Sequence, residues 1–258
     1  MSGNSATHRN AHRQIGLARA LSKLGYCSRS RASELIRSGR VQLNGRVRHD
    51  PEAPVRLDRD RILIEGHAVE AAEKVYLMMN KPRGFVTTAS DEKGRDTVYS
   101  LLEDSPVQLP WVAPVGRLDK ASEGLLMLTN DSEWGSRVTA PETHLDKTYH
   151  VQIASIVGEK IAISLTHGIE LEGDRLRART ARLLRSGEKN CWLEIILDEG
   201  KNRQIRRMLA ALDIEVLRLV RVSIGPLALG NLAKGAFRAL TSEEKRTLDR
   251  AMTHKLHG

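Results

Sequence analysis

One carboxylate in the chain stands where an enzyme could use it. Asp119 lies in a short polar loop that ends at Gly124, and an apolar run over residues 125–128 predicts a buried strand directly after it. A polar loop at the entrance of a buried strand is a usual place for catalytic side chains, because the strand gives the loop a rigid base. The alternative is an Asp that merely caps or ends an element, and the residues alone favour that alternative.

The sequence lacks the motifs of several other enzyme classes. It has no glycine-rich phosphate loop ending in Lys, no dinucleotide-binding glycine fingerprint and no Ser in a nucleophile-elbow context. These absences argue against a nucleotide-driven enzyme and against a Rossmann-type methyltransferase. The nine His residues are scattered, and neither Cys27 nor Cys191 has a second Cys or a His at metal-ligand spacing. We therefore predict no metal site and no disulfide.

The same features bear on location. Two isolated cysteines are typical of a reducing compartment, which predicts a cytoplasmic protein. No apolar run approaches the roughly 18 residues of a membrane helix, so we predict no membrane partner. The first 13 residues are polar and rich in His and Arg, which is unlike a secretory signal. We interpret residues 1–14 as a flexible basic arm.

The elements that must position the loop fall into two groups. The first group is two helices followed by a few strands. The first helix begins near Ile15 and stops at Gly25, and the second covers 30–38 with Ser30 as its N-cap. Strands at 41–43 and 46–47 flank an Asn44-Gly45 turn, and a further strand covers 61–64. This unit spans 15–68, and an Ala- and Glu-rich linker follows at 69–75.

The second group, residues 76–250, mixes strands irregularly with helices. Two strands flank a turn at 80–84, further strands cover 125–128, 149–153, 191–197 and 216–222, and one helix covers 203–212. This irregular order favours an α+β fold with a mixed, mainly antiparallel sheet over a repeating βαβ layout. Residues 251–258 are predicted to be a tail.

Positive charge is concentrated in the first group. Of the net charge of +9, residues 1–68 carry +7, with 13 Lys and Arg against 6 Asp and Glu. Five arginines crowd the predicted helices, and each could neutralise a phosphate: Arg19, Arg29, Arg31, Arg37 and Arg40. A basic unit joined to a near-neutral body indicates a polyanion-binding module. A solubilising tail and a merely solvated helix face remain as alternatives.

Two resemblances add to this interpretation. The text "ARALSKLGYCSRSRASELIRSGRVQLNGRV" resembles the S-four RNA-binding module, an accessory that implies structured RNA without naming a reaction. The text "GRLDKASEGLLMLTND" resembles the signature of the RsuA family of rRNA pseudouridine synthases. "KTYHV", "EGKNRQIRRML" and the entry strand "NKPRG" also match that family's motifs, so the resemblance runs from Leu17 to about Thr241.

The resemblance implies a site and a reaction. Asp119 takes the place of the family's catalytic Asp, Tyr149 that of its active-site Tyr, and Arg206 that of the motif Arg expected to pair with the carboxylate. The reaction detaches uracil from ribose at nitrogen and reattaches it through carbon, which needs a carboxylate nucleophile but no cofactor. The residues expected to hold the RNA around a flipped-out base are Lys81, Arg83, Arg117, Lys120, Lys201 and Arg203, with ordinary surface charges as the alternative.

The expected partner is ribosomal RNA, free or in an assembling subunit, and the expected state is a monomer. The family includes enzymes of both ribosomal subunits, and we favour the large subunit. A non-catalytic ribosome-assembly factor with the same fold is a second hypothesis, which the intact Asp119, Tyr149 and Arg206 oppose. A different RNA-modifying enzyme, such as a methyltransferase, is a third, and the missing glycine fingerprint opposes it.

Overall fold

The computed structural model describes residues 14–88, 94–103, 105, 107–158 and 160–253. Most of the arm at 1–14 and most of the tail at 251–258 therefore lie outside the described residues. The chain divides into two compact units, 1–73 with Leu109–Trp111, and 74–108 with Val112–Gly258. Each unit has its own apolar core.

The first unit is built as its sequence predicts, from two helices and short strands. Its elements are β1 (Ile15–Gly16), α1 (Leu17–Lys23), α2 (Arg29–Arg37), β2 (Val41–Leu43), β3 (Arg46–Arg48), β4 (Pro54–Val55), β5 (Ile62–Ile64) and β6 (His67–Ala68). Strands β2, β3, β5 and β6 form an antiparallel sheet in the order β3-β2-β5-β6. Apolar residues of both helices, among them Leu17, Leu21 and Ile36, are fully buried in one core with this sheet.

One local prediction in this unit is wrong. The N-cap of α2 is Ser28 rather than Ser30, because the Ser28 side chain accepts a hydrogen bond of 3.1 Å from the backbone N–H of Arg31. Both serines are good capping residues, and sequence alone does not say which one has the extended backbone that a cap requires. The Asn44-Gly45 turn is as expected, with both residues at positive φ.

The second unit is a nine-stranded sheet with helices. Its elements are β7 (Tyr76–Lys81), β8 (Ala113–Val115), β9 (Glu123–Thr129), α3 (Ser132–Thr139), β10 (Lys147–Ile153), α4 (Lys160–His167), β11 (Ile169–Leu171), β12 (Asp174–Leu176), β13 (Thr180–Ser186), β14 (Cys191–Leu197), α5 (Gln204–Ala210), β15 (Val216–Ile224), β16 (Leu227–Ala228), β17 (Phe237–Ala239) and α6 (Ser242–Thr253). Short 3-10 turns occupy Ser100–Leu102 and Pro141–Thr143.

The main sheet has the order β13-β14-β10-β15-β9-β7-β17, with β16 added to β15 and β8 added to β9. All of its pairs are antiparallel except β15 with β9. The predicted α+β class with a mixed, mainly antiparallel sheet is therefore confirmed. One core packs β10, β14 and β15 against α5 and α4, and a second packs β7 and β9 against α3 and α6.

Two further local predictions need correction. The second strand expected after the turn at 80–84 is reduced to an isolated bridge between Val86 and Thr97. The boundary at residue 250 cuts through α6, which continues to Thr253 and buries Met252. Both differences arise because packing against the rest of the fold, and not local propensity, decides where these two elements form and end.

Gly124 explains how β9 meets β15. It has φ of +102° and lies opposite Arg221 in the parallel pair, where an added Cβ would overlap the backbone of Arg221. Only glycine allows this backbone conformation and this close approach together. The glycine that ends the loop of Asp119 therefore joins the two strands that carry the site.

Candidate active site

Asp119 lies in the loop between β8 and β9, and neighbouring segments hold this loop by its backbone. The loop closes as a turn in which Ser122 N–H donates to the Asp119 carbonyl over 2.9 Å. The Thr87 hydroxyl donates to the Leu118 carbonyl over 2.8 Å, and Gly84 N–H donates to the Lys120 carbonyl over 2.8 Å. These bonds fix the backbone on both sides of Asp119, and its side chain remains half-buried.

The buried side chain of Lys81 holds the same turn by hydrogen bonds to its backbone. Its Nζ donates to the backbone carbonyls of Pro82, Asp119 and Ser122 at 3.0, 3.2 and 2.9 Å. Burial lowers the pKa of Lys81 to about 8, against the opposing effect of the Asp119 and Glu123 carboxylates. At neutral pH the ammonium therefore keeps three protons for three carbonyls.

This position overturns the expectation that Lys81 contacts RNA. The side chain is 0% exposed, so a phosphate at the surface cannot reach it. The sequence motif placed Lys81 correctly beside the site but did not show that it points inward, since a Lys at a strand end is ordinarily exposed.

A cleft of about 450 Å³ opens beside the Asp119 loop. It brings together all three residues that the motifs single out, Asp119, Tyr149 and Arg206, although they are far apart in the sequence. Charged residues dominate the rest of its polar lining: Arg117, Lys147, Asp198, Glu199, Lys201, Arg203 and Arg221. Its volume lies within the range of roughly 300–1,000 Å³ that is usual for small-molecule sites.

Tyr149 enters the cleft from β10, in the middle of the sheet. It pairs with Ile195 of β14 on one side and with Arg221 of β15 on the other. Its ring is half-buried against the core formed by β10, β14 and α5. A ring supported on its inner side presents its remaining surface to the cleft, where a second flat ring can stack.

Arg206 contacts the loop of Asp119 rather than its carboxylate. Its guanidinium donates to the Ala121 carbonyl over 3.0 Å and to the Val216 carbonyl over 3.4 Å. Among the described residues it forms no ion pair with Asp119, so the direct pairing expected from the motif is absent. Burial and the charge of Arg203 lower the pKa of Arg206, and the charge of Asp119 opposes this. The charge of Asp119 therefore favours the protonated Arg206, although the two side chains form no ion pair.

The other predicted RNA-binding residues of this unit are exposed. Arg117, Lys201 and Arg203 line the cleft, whereas Arg83 and Lys120 lie outside its lining. Lys201 is 3.8 Å from Asp174, and Arg83 donates to the Leu217 carbonyl over 3.4 Å. Arg203 has a left-handed backbone with φ of +47°, which is uncommon for a long side chain, and it precedes α5.

The five predicted arginines of the first unit are all exposed, but they differ in their partners. Arg31 pairs with Glu34 at 2.9 Å, and Arg40 pairs with Glu65. Within the described part of the chain, Arg19, Arg29 and Arg37 form no ion pair. Those three charges are therefore the ones that remain available to a polyanion.

Two cationic residues of the cleft were missed. Lys147 was inside the quoted "KTYHV" motif, and burial lowers its pKa, with Arg221 adding to that effect. Arg221 is only 5% exposed, and its Nε donates to the Leu125 carbonyl over 2.8 Å. The sequence does contain a pattern that indicates the position of Arg221. In the strand predicted at 216–222, Arg221 follows Leu219 by two residues, so alternation places both side chains on the same, inward face.

Neither a metal site nor a membrane segment is found in the described residues. They contain no group of three His, Cys, Asp or Glu side chains that could hold a metal ion. No helix within the described ranges is long and apolar enough to cross a membrane.

Known proteins resemble the chain over nearly its whole length. Residues 75–211 match the family described as RNA pseudouridylate synthase, and residues 15–62 match the S4 domain. An uncharacterized RNA pseudouridine synthase of Aquifex aeolicus is 36% identical over 240 residues, covering 93% of this chain and 95% of that protein. The ribosomal large subunit pseudouridine synthase B of Bacillus subtilis is 35% identical over 240 residues, covering 92% and 97%. A crystal structure of a pseudouridylate synthase is 31% identical with a TM-score of 0.62, covering 91% of this chain and 99% of that chain.

Proposed function

Because this chain belongs to the RNA pseudouridylate synthase family and carries an S4 domain, we propose that it isomerises one specific uridine of large-subunit ribosomal RNA to pseudouridine. The resemblance read from its motifs is thereby confirmed, and the chain is an RNA pseudouridine synthase. The proposal concerns the residues that do the chemistry, the conformation of the target nucleotide and the RNA that is modified.

One observation carries the assignment of the residues. A carboxylate, an aromatic ring and a guanidinium from three separate segments line the same cleft: Asp119, Tyr149 and Arg206. Asp119 stands on a loop whose backbone is held by Lys81, Thr87 and Arg206. A nucleophile on a rigid loop beside a pocket for a flat ring is what this isomerisation needs.

The chemistry assigns a role to each group. The reaction breaks the bond between ribose C1′ and uracil N1, forms a bond between C1′ and uracil C5, and moves one proton from C5 to N1 overall. The Asp119 carboxylate is the nucleophile that attacks the sugar or the uracil ring and is later released. Tyr149 stacks on the base and offers a hydroxyl for the proton transfer. Arg206 is a positioning residue that fixes the turn bearing Asp119.

The target uridine must leave its helix to enter the cleft. Extruding a base costs a few kcal/mol, which contacts to the flanking backbone offset. Arg117, Lys201 and Arg203 at the cleft are suited to hold that backbone. The exposed Lys120 in the loop of Asp119 and the exposed Arg83 after β7 are further candidates. A cytoplasmic, monomeric enzyme remains our expectation from the sequence.

The choice of large-subunit RNA is supported by the similarity to the ribosomal large subunit pseudouridine synthase B of Bacillus subtilis. Deleting the gene in its source organism and mapping pseudouridine in both ribosomal RNAs tests it. We expect one large-subunit pseudouridine to disappear and to return when the gene is restored. Loss of a small-subunit site would overturn the choice of subunit, and an unchanged map of both RNAs would contradict the proposed function.

We expect the first unit to supply salt-dependent affinity through its unpaired arginines. Replacing Arg19, Arg29 and Arg37 together by Gln should weaken binding to ribosomal RNA, because up to three phosphate contacts are lost. The slope of log affinity against log salt should become less steep by about 0.7 to 0.9 per lost contact. The single-turnover rate at saturating enzyme should stay close to that of the wild type. Binding and rate across a salt series measure both effects.

A matched control removes the same charge elsewhere. Arg185, Arg246 and Arg250 are exposed residues of the second unit outside the cleft lining, and their triple Gln variant should keep the wild-type salt slope. If both triple variants change the slope equally, the effect is one of net charge. The docking role of α1 and α2 would then be wrong.

A further inference from the structure

Arg221 is a buried cation with an unused hydrogen-bond donor. The residue is 5% exposed, and its Nε is bound to the Leu125 carbonyl. Its Nη2 is fully buried and has no hydrogen-bond partner, and Arg221 forms no ion pair with any described residue. A buried donor of a charged group that stays unpaired costs free energy, so such a group calls for an explanation.

Alternation along β15 places Arg221 on the cleft face together with Leu219, and a bulge follows directly after it. Thr148 pairs with Ser223 but Tyr149 pairs with Arg221, so Val222 has no partner opposite it. As a result Arg221 and Ile224, three residues apart, both line the cleft, although strict alternation would place them on opposite faces. The sheet therefore departs from regular geometry at the point where it presents this guanidinium.

Arg221 also lies beside the ring on which the base is proposed to stack. Directly opposite residues of an antiparallel pair have their Cβ atoms about 5 Å apart on the same face, and Tyr149 and Arg221 are such a pair. A base stacked on Tyr149 thus has one edge next to Arg221. The carbonyl of Leu125, which accepts from Arg221 Nε, belongs to β9, the strand that follows the Asp119 loop. The same strand therefore positions both Arg221 and the loop of Asp119.

We propose that Arg221 donates a hydrogen bond to a carbonyl oxygen of the target uracil and stabilises the negative charge that the base acquires when it is detached. This inference rests on the proposed function. When the C1′–N1 bond breaks, its electron pair stays on the uracil, while the Asp119 carboxylate supplies a pair to C1′. The charge on the uracil spreads over N1 and the carbonyl oxygens. The anion is consumed when C5 attacks C1′, which releases the carboxylate, and the C5 proton is lost as N1 gains one.

The energetic argument is that the donor of Arg221 is buried and already oriented before the reaction begins. A donor that is already oriented, here by the Leu125 carbonyl, loses nothing to reorganisation when charge appears on its acceptor. Uracil in the ground state offers a neutral carbonyl, and the detached base offers a charged one. Arg221 therefore binds the later state more strongly, which is the condition for accelerating the reaction.

The test compares Arg221→Gln with the wild type on one RNA that contains the target uridine. Gln keeps a polar side chain of moderate length and removes the charge. We expect the single-turnover rate to fall about 100-fold, as is typical when one such donor is lost, with a much smaller change in RNA affinity. Arg185→Gln, an exposed Arg outside the cleft, serves as the control and should keep the wild-type rate.

A second substrate separates charge stabilisation from a structural role. The same RNA with 5-fluorouridine at the target carries a base that holds negative charge more easily by itself. The measured quantity is the rate at which the C1′–N1 bond breaks. The factor by which Arg221→Gln slows this step should be smaller on the fluorinated RNA than on the uridine RNA. A side chain that merely supports the fold would reduce both rates by the same factor.

Each outcome has one meaning. If the wild type forms no pseudouridine, the proposed function fails. If the wild type is active and Arg221→Gln matches the Arg185→Gln control, or if its loss is equal on both substrates, the role of Arg221 is wrong and the function stands. Should Arg221→Gln not fold, Arg221→Lys is measured in the same way. It keeps the charge and should show a smaller loss that is again reduced on the fluorinated RNA.

Discussion

Replacing Asp119 by Asn is expected to abolish pseudouridine formation while RNA binding stays close to that of the wild type. The amide has nearly the same shape, but it is neutral and does not attack a sugar or a pyrimidine ring. The backbone bonds that hold the loop involve the carbonyl of residue 119 and survive the change. We expect the single-turnover rate to fall about 10⁴-fold or more, as for the loss of other enzyme nucleophiles.

Asp213→Asn is the matched control for this substitution. Asp213 is exposed, lies outside the cleft lining and has φ of +56°, a conformation that Asn tolerates well. This variant should retain full activity. Turnover by Asp119→Asn at near the wild-type rate, after the protein has been shown to contain no deamidated Asp, would remove Asp119 from the mechanism.

Arg206→Lys is expected to lower the single-turnover rate by about 10³-fold with little change in RNA affinity. The planar guanidinium reaches the Ala121 and Val216 carbonyls at once, and a compact ammonium on a shorter stem cannot make both contacts. The turn that bears Asp119 then loses the hydrogen bonds through which Arg206 connects it to α5 and β15. Misplacing a reacting group by about 1 Å costs on the order of 100-fold in rate, and the interaction between the two charges adds to this.

The neighbouring Arg207→Lys provides the comparison. Arg207 lies on the same helix and contacts the exposed Glu172 at 3.1 Å, outside the cleft lining. It should tolerate Lys with a near-normal rate. An Arg206→Lys enzyme with a normal rate but weakened RNA binding would show instead that Arg206 is a phosphate contact.

Much of the fold follows from local patterns. The alternation of Cys191–Leu197 predicted the bounds of β14, and the Asn44-Gly45 pair predicted the hairpin of β2 and β3. Such features depend on residues close together in sequence, so the sequence expresses them directly. The order of the motifs also predicted which residues meet in the cleft, because a family resemblance carries information about long-range contacts that periodicity lacks.

The errors concern features that depend on long-range packing. Lys81 was expected to be exposed, and its burial requires three carbonyls that two other segments supply. The contacts of Arg206 depend on the direction of the Ala121 carbonyl in the folded loop. The spacing of residues in the sequence does not predict that direction. The bulge at Val222 shifts the register of one strand pair by a single residue, and this shift brings Ile224 to the face of the sheet that carries Arg221.

The most direct test of the central claim is whether the purified protein makes pseudouridine without assistance. Unmodified ribosomal RNA is incubated with the protein, without any cofactor and after dialysis against a strong chelator. Nucleosides are then quantified, and the modified position is mapped. We predict that one uridine of the large-subunit RNA is converted almost completely, since an isomerisation needs neither a redox partner nor an energy source. A protein that binds this RNA yet leaves every uridine unchanged, on naked RNA and on assembling subunits alike, would contradict the account.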